Sequence, residues 1–507
     1  MTFMPSLNKA NVSDLPNINQ TDQTLINKQL PERAIQFGEG NFLRAYINWM
    51  LQQMNKQDLF NGRTVAIQPT PHGKVVPKLN KQDGLFTTIL QGIEDGEEKQ
   101  DIEINSSISR SINPYEDLEE LLKLAESEYI EFIFSNTTEA GLVYMEEAFP
   151  ETESPLSFPG KLTALLYRRF TYRNGDPESG FTIIPCELVE NNGNLLQSIV
   201  LRLAKEWELP AAFCEWVEND NTFCNTLVDR IVPGYPKDTV GDWEQKLGYK
   251  DTLMAVGEPF HLFVIESGQP LEKKLPFQKA GLNVKWDQVK PYRDLKVSLL
   301  NAPHTLLFSV GFISGLNTVR EVMEDEVVSS YVRRVIYEDI LPHLSFNRKE
   351  KESFADSVIE RFQNPFVKHQ LADLGLNAVQ KLKSRVFPLL NQQGNVPSTI
   401  SFSLASLIHY YKPYSIHEGH FMGLHEGRQY KVRDNEVVLE TFIDFWRKDQ
   451  HTEEDVARLL SIQKLWERDL SHLTECVFEY FKSIDRQGAK AATQQMLENV
   501  LPVENQK

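Results

Sequence analysis

The chain has 507 residues, 41% hydrophobic and 24% charged, with a formal net charge of -18 at pH 7; it is too long for one core and implies two or three domains of ordinary globular composition. The acidic balance excludes a general nucleic-acid or anionic-membrane surface, because phosphate binding needs clustered Lys and Arg, and leaves room only for a local basic patch. No run approaches the ~18 apolar residues of a membrane span, the amino terminus has no apolar signal core, and Cys186, Cys214, Cys224 and Cys476 form no C-x-x-C pair, so a cytoplasmic protein with reduced thiols and no zinc site is expected.

After a polar leader of about thirty residues, RAIQFGEGNFLRAYINWMLQQM predicts a strand over 34–37, a glycine turn and an amphipathic helix. Gly38 and Gly40 stand where strand passes to helix, so bare backbone can approach a pyrophosphate while helix amides face its charge. The spacing is G-x-G-x-x-L, with Leu43 where the dinucleotide fingerprint usually has a third glycine, and a two-glycine turn is also common in α/β proteins at large. TVAIQ, 64–68, follows at the distance a β-α-β unit requires. It ends on Gln68, where an acid would normally hold the adenosine ribose, and a neutral amide does not choose between NAD and NADP.

Downstream, GLFTTILQGI predicts strand, EDLEELLKLAES an acidic amphipathic helix, and YIEFIFSNTTEAGL a strand running into a polar turn that carries Asn136 and Thr137. Open α/β sheets bind ligands at such carboxyl ends. GFTIIPCELVENNGNLLQSIVLRLAKEW repeats the plan with a strand over 181–185, a loop carrying Asn191 and Asn192, and a helix. In FCNTLVDRIVPGYP, Asp229 and Arg230 lie inside an apolar run, where burial demands a mutual or neighbouring ion pair, or a substrate contact. FHLFVIES and GLNVKW predict further strands. From about residue 291 the segments are long, amphipathic and without alternation, which predicts helices.

The fold class is therefore α/β: a Rossmann-like N-terminal dinucleotide-binding domain, residues 1–285, followed by a mainly α-helical C-terminal domain, residues 286–507. Just past that boundary, PYRDLKVSLLNAPHTLLFSVGFISGLNTVR places Lys296, Asn301 and His304 within nine residues. These groups can protonate, polarise and orient a carbonyl. At ~100° per helical residue, Lys296, His304 and Asn301 fall at about 0°, 80° and 140°. A buried helix with a snorkelling lysine and a satisfied histidine has the same residue types. Pro303, which lacks an amide hydrogen, implies either a helix starting near Asn301 or a kink. HEGHFMGLHE offers His417, His420 and His425, but the spacing is not H-E-x-x-H and two glycines predict a loop with surface histidines, so no metal is expected.

QFGEGNFLRA, FSNTTEAG, IIPCELVENNGN, TLVDRIVPGYP, KVSLLNAPH and RFQNPFVKHQL occur in this order over nearly the whole chain and together resemble the polyol-specific long-chain dehydrogenases, the mannitol dehydrogenase family. PCEL, where the mannitol enzymes have Cys-Asp-Asn, and LVDRIV-x-GYP are similar to the branch of the family that reduces keto-uronates. The resemblance implies an NAD cofactor, a small sugar-acid substrate and no metal; it does not speak to oligomeric state. It implies that Lys296 is the general acid in reduction and the base in reverse, that Asn301 and Asn192 polarise the carbonyl oxygen, and that His304 orients the substrate. Asp229 matches an acid near that site, and Lys381 a basic residue used against substrate. Ile35, Gln36, Phe37, Gly38, Glu39, Gly40, Asn41, Phe42, Leu43 and Arg44 match the cofactor loop, with Gln68, Asn136 and Thr137 beside it. Two departures are informative: Arg293 stands where mannitol enzymes carry an acid, which suits a carboxylate on the substrate, and Gln68 replaces their NAD-selecting Asp.

Overall fold

The computed structural model describes residues 4–15, 18–390, 396–417, 420–425 and 427–498, and the chain divides into two compact units, Met1–Tyr292 and Arg293–Lys507. Unit 1 is built on six parallel strands: β1 (Glu32–Phe37), β2 (Arg63–Ile67), β3 (Ile108–Ile112), β4 (Phe132–Ser135), β5 (Thr182–Pro185) and β6 (Thr222–Phe223). They hydrogen-bond in the order β3-β2-β1-β4-β5-β6. That order reverses between β1 and β4, which makes a crevice at the carboxyl ends of those two strands.

The central strands β1, β2, β4 and β5 are covered on both faces and so read as largely apolar buried runs, whereas the edge strands β3 and β6 are partly exposed. Ile35, Phe37, Val65, Ile67 and Ile133 pack into one core with the helices Phe158–Tyr172 and Asn192–Glu206. Ala34, Phe132, Phe134 and Ile184 turn to the other, with Tyr46, Met50 and Met54. Between β2 and β3 the chain makes a hairpin, Phe86–Glu94 with Glu97–Asn105, whose Asp95-Gly96 turn has both residues at positive φ. Such a turn matches the twist of paired strands. Ala255–Gly257 extends this hairpin, and Asn225–Asp229, Leu262–Glu266 and Val284–Trp286 form another small sheet.

The leader is less bare than its composition implies. It holds a helix, Gln20–Asn27, started by the Asn19 side chain accepting the amide of Asp22 at 2.7 Å. Leu7, Val12, Leu15 and Ile26 are buried against Leu85, Ile89 and Met254. Four apolar residues spread through a polar segment suffice to dock it.

Unit 2 is mainly helical. Its central helix, Ala302–Ile313, is apolar all round and packs on Ser398–Tyr410, Leu371–Leu374 and Ala378–Arg385. Ser403 donates to the Leu306 carbonyl at 3.0 Å and Ser309 to the Ser403 carbonyl at 3.3 Å, tying two helices together. The segment expected to be a histidine loop is instead a three-stranded antiparallel sheet, Pro413–His417, His420–His425 and Arg428–Lys431. Its glycine is a packing requirement: a Cβ on Gly423 would lie 2.2 Å from the ring of Tyr430 on the next strand. Among the described residues no helix is long and apolar enough to cross a membrane.

Candidate functional site

The glycine turn closes β1. Gly38 donates its amide to the Ile67 carbonyl at 2.9 Å. At φ +118°, with an added Cβ only 2.8 Å from the Asn136 carbonyl oxygen, it accepts no side chain. Gly40 differs. A Cβ there meets nothing within 4 Å, so the backbone before the helical run that starts at Asn41 is approachable. Leu43, in place of a third glycine, is buried and lies against Gly38.

Most other side chains of the turn face inward. Ile35 and Phe37 are core residues. Gln36 is fully buried, donates to the Gly38 carbonyl at 3.0 Å and accepts from Asn48 and Thr64. Arg44 is buried over Phe86; it donates to the Glu39 carbonyl and, at 2.7 Å, to Asn41. Burial pushes its guanidinium down to about 10 and raises the carboxyl of Glu39. Phe42 stacks on Tyr46 at 4.9 Å. Hence Arg44 and Gln36 shape the turn, and what the turn presents is backbone.

At the carboxyl end of β2, Gln68 is 1% exposed and donates to the Thr70 carbonyl at 2.9 Å. Its Oε1 is buried without a partner among the described residues. Pro69, next in the chain, is held by Lys161, a buried lysine that also donates to Pro155 at 2.6 Å and Tyr115 at 2.7 Å and whose amine burial pushes down to about 7. The open backbone at Gly40 and the orphaned acceptor of Gln68, on adjacent strands, fit a dinucleotide.

Glu187 was not singled out from the sequence, although it lies in the quoted PCEL motif. Its buried carboxyl accepts from the Ser135 hydroxyl at 2.9 Å and from the amide and hydroxyl of Thr137 at 2.9 and 3.0 Å, and burial raises its pKa. Asn136 donates to the Cys186 carbonyl at 2.7 Å. The turn after β4 is thus tied to the end of β5. An acid directly following an apolar strand was the available signal.

Asn192, expected at the substrate carbonyl, is 0% exposed. Its Nδ2 points at the carbonyls of Pro185 and Glu187, both at 3.1 Å, and at Thr226 Oγ1 at 3.0 Å; its Oδ1 accepts from Gly193 and Thr226 at 2.9 Å. To reach a substrate it must exchange one of these bonds. Its neighbour Asn191 is exposed at φ 50°. Asp229 ends the strand Asn225–Asp229 and is buried. Arg230 departs from the ion-pair expectation: its guanidinium donates to the carbonyls of Ala45, Pro259 and Phe260 at 2.7, 3.0 and 3.1 Å and stacks on Trp49 at 4.0 Å. Three carbonyl dipoles take its hydrogens, and Tyr46 and Glu258 favour its charge against the burial that lowers its pKa.

In unit 2, Arg293 and Lys296 lie one turn apart in the helix Val289–Lys296, both half-buried. The helix neither stops nor restarts at Pro303. A π-helical turn, Val297–Asn301, joins it to Ala302–Ile313, and the Ala302 amide reaches back to the Val297 carbonyl. One wide turn absorbs the missing proline donor, and such turns recur at functional sites. Lys296, Asn301 and His304 therefore share one continuous helical run.

His304 is 7% exposed, and its Nε2 has no hydrogen-bond partner among the described residues. Its ring packs against Phe362 at 4.3 Å and His369 at 4.8 Å. Burial, then the charges of His369, Arg361, Arg385 and Lys381, hold its pKa well below the usual imidazole value. Lys381 donates to the Leu374 carbonyl at 3.0 Å, and burial followed by Arg385 lowers its pKa. His369 and Arg385 had not been singled out in the sequence. Of the histidine segment, the His417 and His420 side chains lie outside the described residues; among those described, no His, Cys, Asp or Glu group could hold a metal.

The mannitol dehydrogenase Rossmann domain matches residues 32–279, and the mannitol dehydrogenase C-terminal domain matches residues 288–487. The altronate oxidoreductase of Halalkalibacterium halodurans is 46% identical over 93% of this chain and 94% of its own. That of Enterobacter sp. (strain 638) is 41% identical over 92% and 97%. Among solved structures, a substrate-free D-sorbitol dehydrogenase has a TM-score of 0.79 at 23% identity, over 96% of this chain and all of its own. The Pseudomonas fluorescens mannitol 2-dehydrogenase, solved with NAD and D-mannitol, has a TM-score of 0.69 at 21% identity, over 98% and 100%. These two are alike in fold.

Proposed function

The chain belongs to the mannitol dehydrogenase family, and on that premise we propose that it is a cytoplasmic, NAD-dependent oxidoreductase that interconverts D-tagaturonate and D-altronate in hexuronate catabolism. Residues 1–285 hold the cofactor and residues 286–507 the substrate and the proton donor. The reading rests on one observation above all: Lys296, Asn301 and the unpartnered His304 stand on a single helical run. The altronate oxidoreductase relatives, above 40% identical along almost the full chain, direct it to a sugar acid.

Bound NADH supplies the hydride for the ketone carbon. Lys296 gives its Nζ proton to the carbonyl oxygen as charge develops there, and in the reverse direction takes the proton from the hydroxyl. Asn301 donates an amide hydrogen to the same oxygen. Asn192, the other amide assigned to that oxygen, acts by holding its loop unless it releases a bond. His304 offers Nε2 to a substrate hydroxyl, while Asp229, Arg293 and Lys381 bind the rest of the sugar acid. Ile35 to Arg44 present the backbone of the glycine turn to the cofactor, Gln68 reaches toward the adenosine end, and Asn136 and Thr137 border the nicotinamide side.

The second reading is a fructuronate reductase or a polyol oxidoreductase of the mannitol type, since the family match covers the sorbitol and mannitol enzymes' fold as well. Comparing NADH oxidation with tagaturonate, fructuronate and fructose separates the readings. A kcat/KM highest for tagaturonate is expected, and a higher value for either rival displaces the proposal.

A further inference from the structure

Around His304, unit 2 gathers more positive charge than these roles use. The helix Ala378–Arg385 packs on Ala302–Ile313 and carries Lys381 and Arg385 one turn apart on one face. The helix Arg348–Gln363 packs on the π-helical turn and brings Arg361 and Phe362. His369 stands 4.8 Å from His304, ring to ring. Arg361, Lys381 and Arg385 bring positive charge to bear on His304, while burial lowers the pKa of Arg385 and of His369, which therefore favours its neutral, N–H-donating imidazole. The acids that bear on this group are Asp373, which acts on both Lys381 and His369 and is bonded to Arg433 at 2.9 Å, and Asp434, which acts on Lys381 and takes the Tyr411 hydroxyl.

In a chain of net charge -18, half-buried cations packed together are costly, because desolvation and mutual repulsion both oppose them. An entering anion offsets the repulsion and part of the desolvation cost by direct attraction. The guanidinium of Arg385 suits a carboxylate, which it can meet with two parallel hydrogen bonds. The buried, unpartnered Nε2 of His304 supplies a polar group beside it. Lys381 is already anchored on helix carbonyls.

We propose that Arg385 and His369, beside His304, form the site that receives the substrate carboxylate and so select a sugar acid over a neutral sugar. The inference rests on the keto-uronate reading and adds the group that enforces it. A neutral ketose of the same skeleton gives the Arg385 guanidinium no carboxylate to meet, which is the kind of mismatch that discriminates strongly. Arg293 is the rival holder of the carboxylate.

The test is steady-state kinetics of the full chain with NADH, tagaturonate and its neutral counterpart tagatose, for wild type, Arg385→Gln, Arg385→Lys, His369→Gln and Arg293→Gln. Arg385→Gln is expected to raise the tagaturonate KM at least about thirtyfold, as loss of a buried charge partner does, with kcat changing less. The ratio of kcat/KM for tagaturonate over tagatose falls with it. His369→Gln moves the same way by less, and Arg385→Lys, which keeps the charge, recovers part of the loss. An Arg385→Gln KM within about threefold of wild type, equal losses on both sugars, or a carboxylate-selective loss in Arg293→Gln alone overturns the site. If the wild type oxidises NADH with no keto-uronate, the function itself fails, which is a different result.

Discussion

The Asn192 loop of unit 1 and the His304 neighbourhood of unit 2 are both assigned to substrate, yet their hydrogen bonding is opposite. Asn192 spends its amide on Pro185, Glu187 and Thr226 and accepts from Gly193 and Thr226. Glu187, close by, takes three donors. Among the described residues His304 Nε2 has no partner, and Arg361, Arg385 and Lys381 bear on its ring electrostatically. A closed polar network fixes backbone and gains nothing from a ligand, whereas a buried polar atom without a partner is costly until one arrives. By this criterion the Asn192 loop holds shape, while the His304 neighbourhood, like Gln68 at the end of β2, has an acceptor or donor left for a ligand.

The largest expected effect follows from that division. Lys296→Ala should lower kcat by about 10²–10⁴, while NADH affinity, read by fluorescence titration, stays nearly intact. Loss of NADH binding with normal turnover would place the lysine on the cofactor side and break the contrast. Next come the two asparagines. Asn301→Ala should lower kcat by about 10²–10³ with little change in Tm. Asn192→Ala should instead show first in the melting curve, because the deserted partners each cost about 1–3 kcal/mol. A normal Tm with collapsed kcat in Asn192→Ala would mean that the amide leaves its network during turnover.

Much of this was legible in the sequence. The two glycines, the second strand about thirty residues on, and the change to helical periodicity near residue 291 all reflect local rules, and the parallel sheet and helical unit 2 follow them. The Lys296 segment was legible as residue types, but its geometry was not, since a π-helical turn depends on how the chain accommodates Pro303 over several residues. The histidine segment misled because Gly423 looked like loop, while its role is to make room for Tyr430 across a strand pair. Glu187, His369 and Arg385 escaped because each matters through partners far along the chain. The same holds for Arg230, whose carbonyl partners lie about thirty and 185 residues away.

A smaller effect tests the shape side. Gly38→Ala forces a side chain into φ +118° and against the Asn136 carbonyl. Strain of about 1–3 kcal/mol is expected, with a matching rise in the NADH Kd because Gly38 and Asn136 meet at the crevice between β1 and β4. Gly40→Ala, which meets nothing within 4 Å, should leave Tm almost unchanged. If it weakens NADH while Tm holds, the open backbone at Gly40 is where the cofactor comes close. Equal Tm losses in both variants would remove the distinction between a packed and an approachable glycine.

The smallest effect concerns protons. His304 has a folded pKa well below the usual imidazole value, from burial first and then from His369, Arg361, Arg385 and Lys381; His369 is lowered by burial and Lys381, against Asp373. As pH falls through about 6.5 the unfolded imidazole binds a proton that the folded one refuses, so stability is full above that pH and is lost below it. The slope from one such group is at most about 1.4 kcal/mol per pH unit. The Tm should therefore fall between about pH 7 and 5.5, and less steeply in His304→Gln. A sugar acid bound at Arg385 brings a negative charge that favours the protonated imidazole, so saturating altronate should flatten the slope in the wild type and not in Arg385→Gln. Identical slopes with and without altronate would separate His304 from the anion and leave its unpartnered nitrogen to the substrate hydroxyl alone.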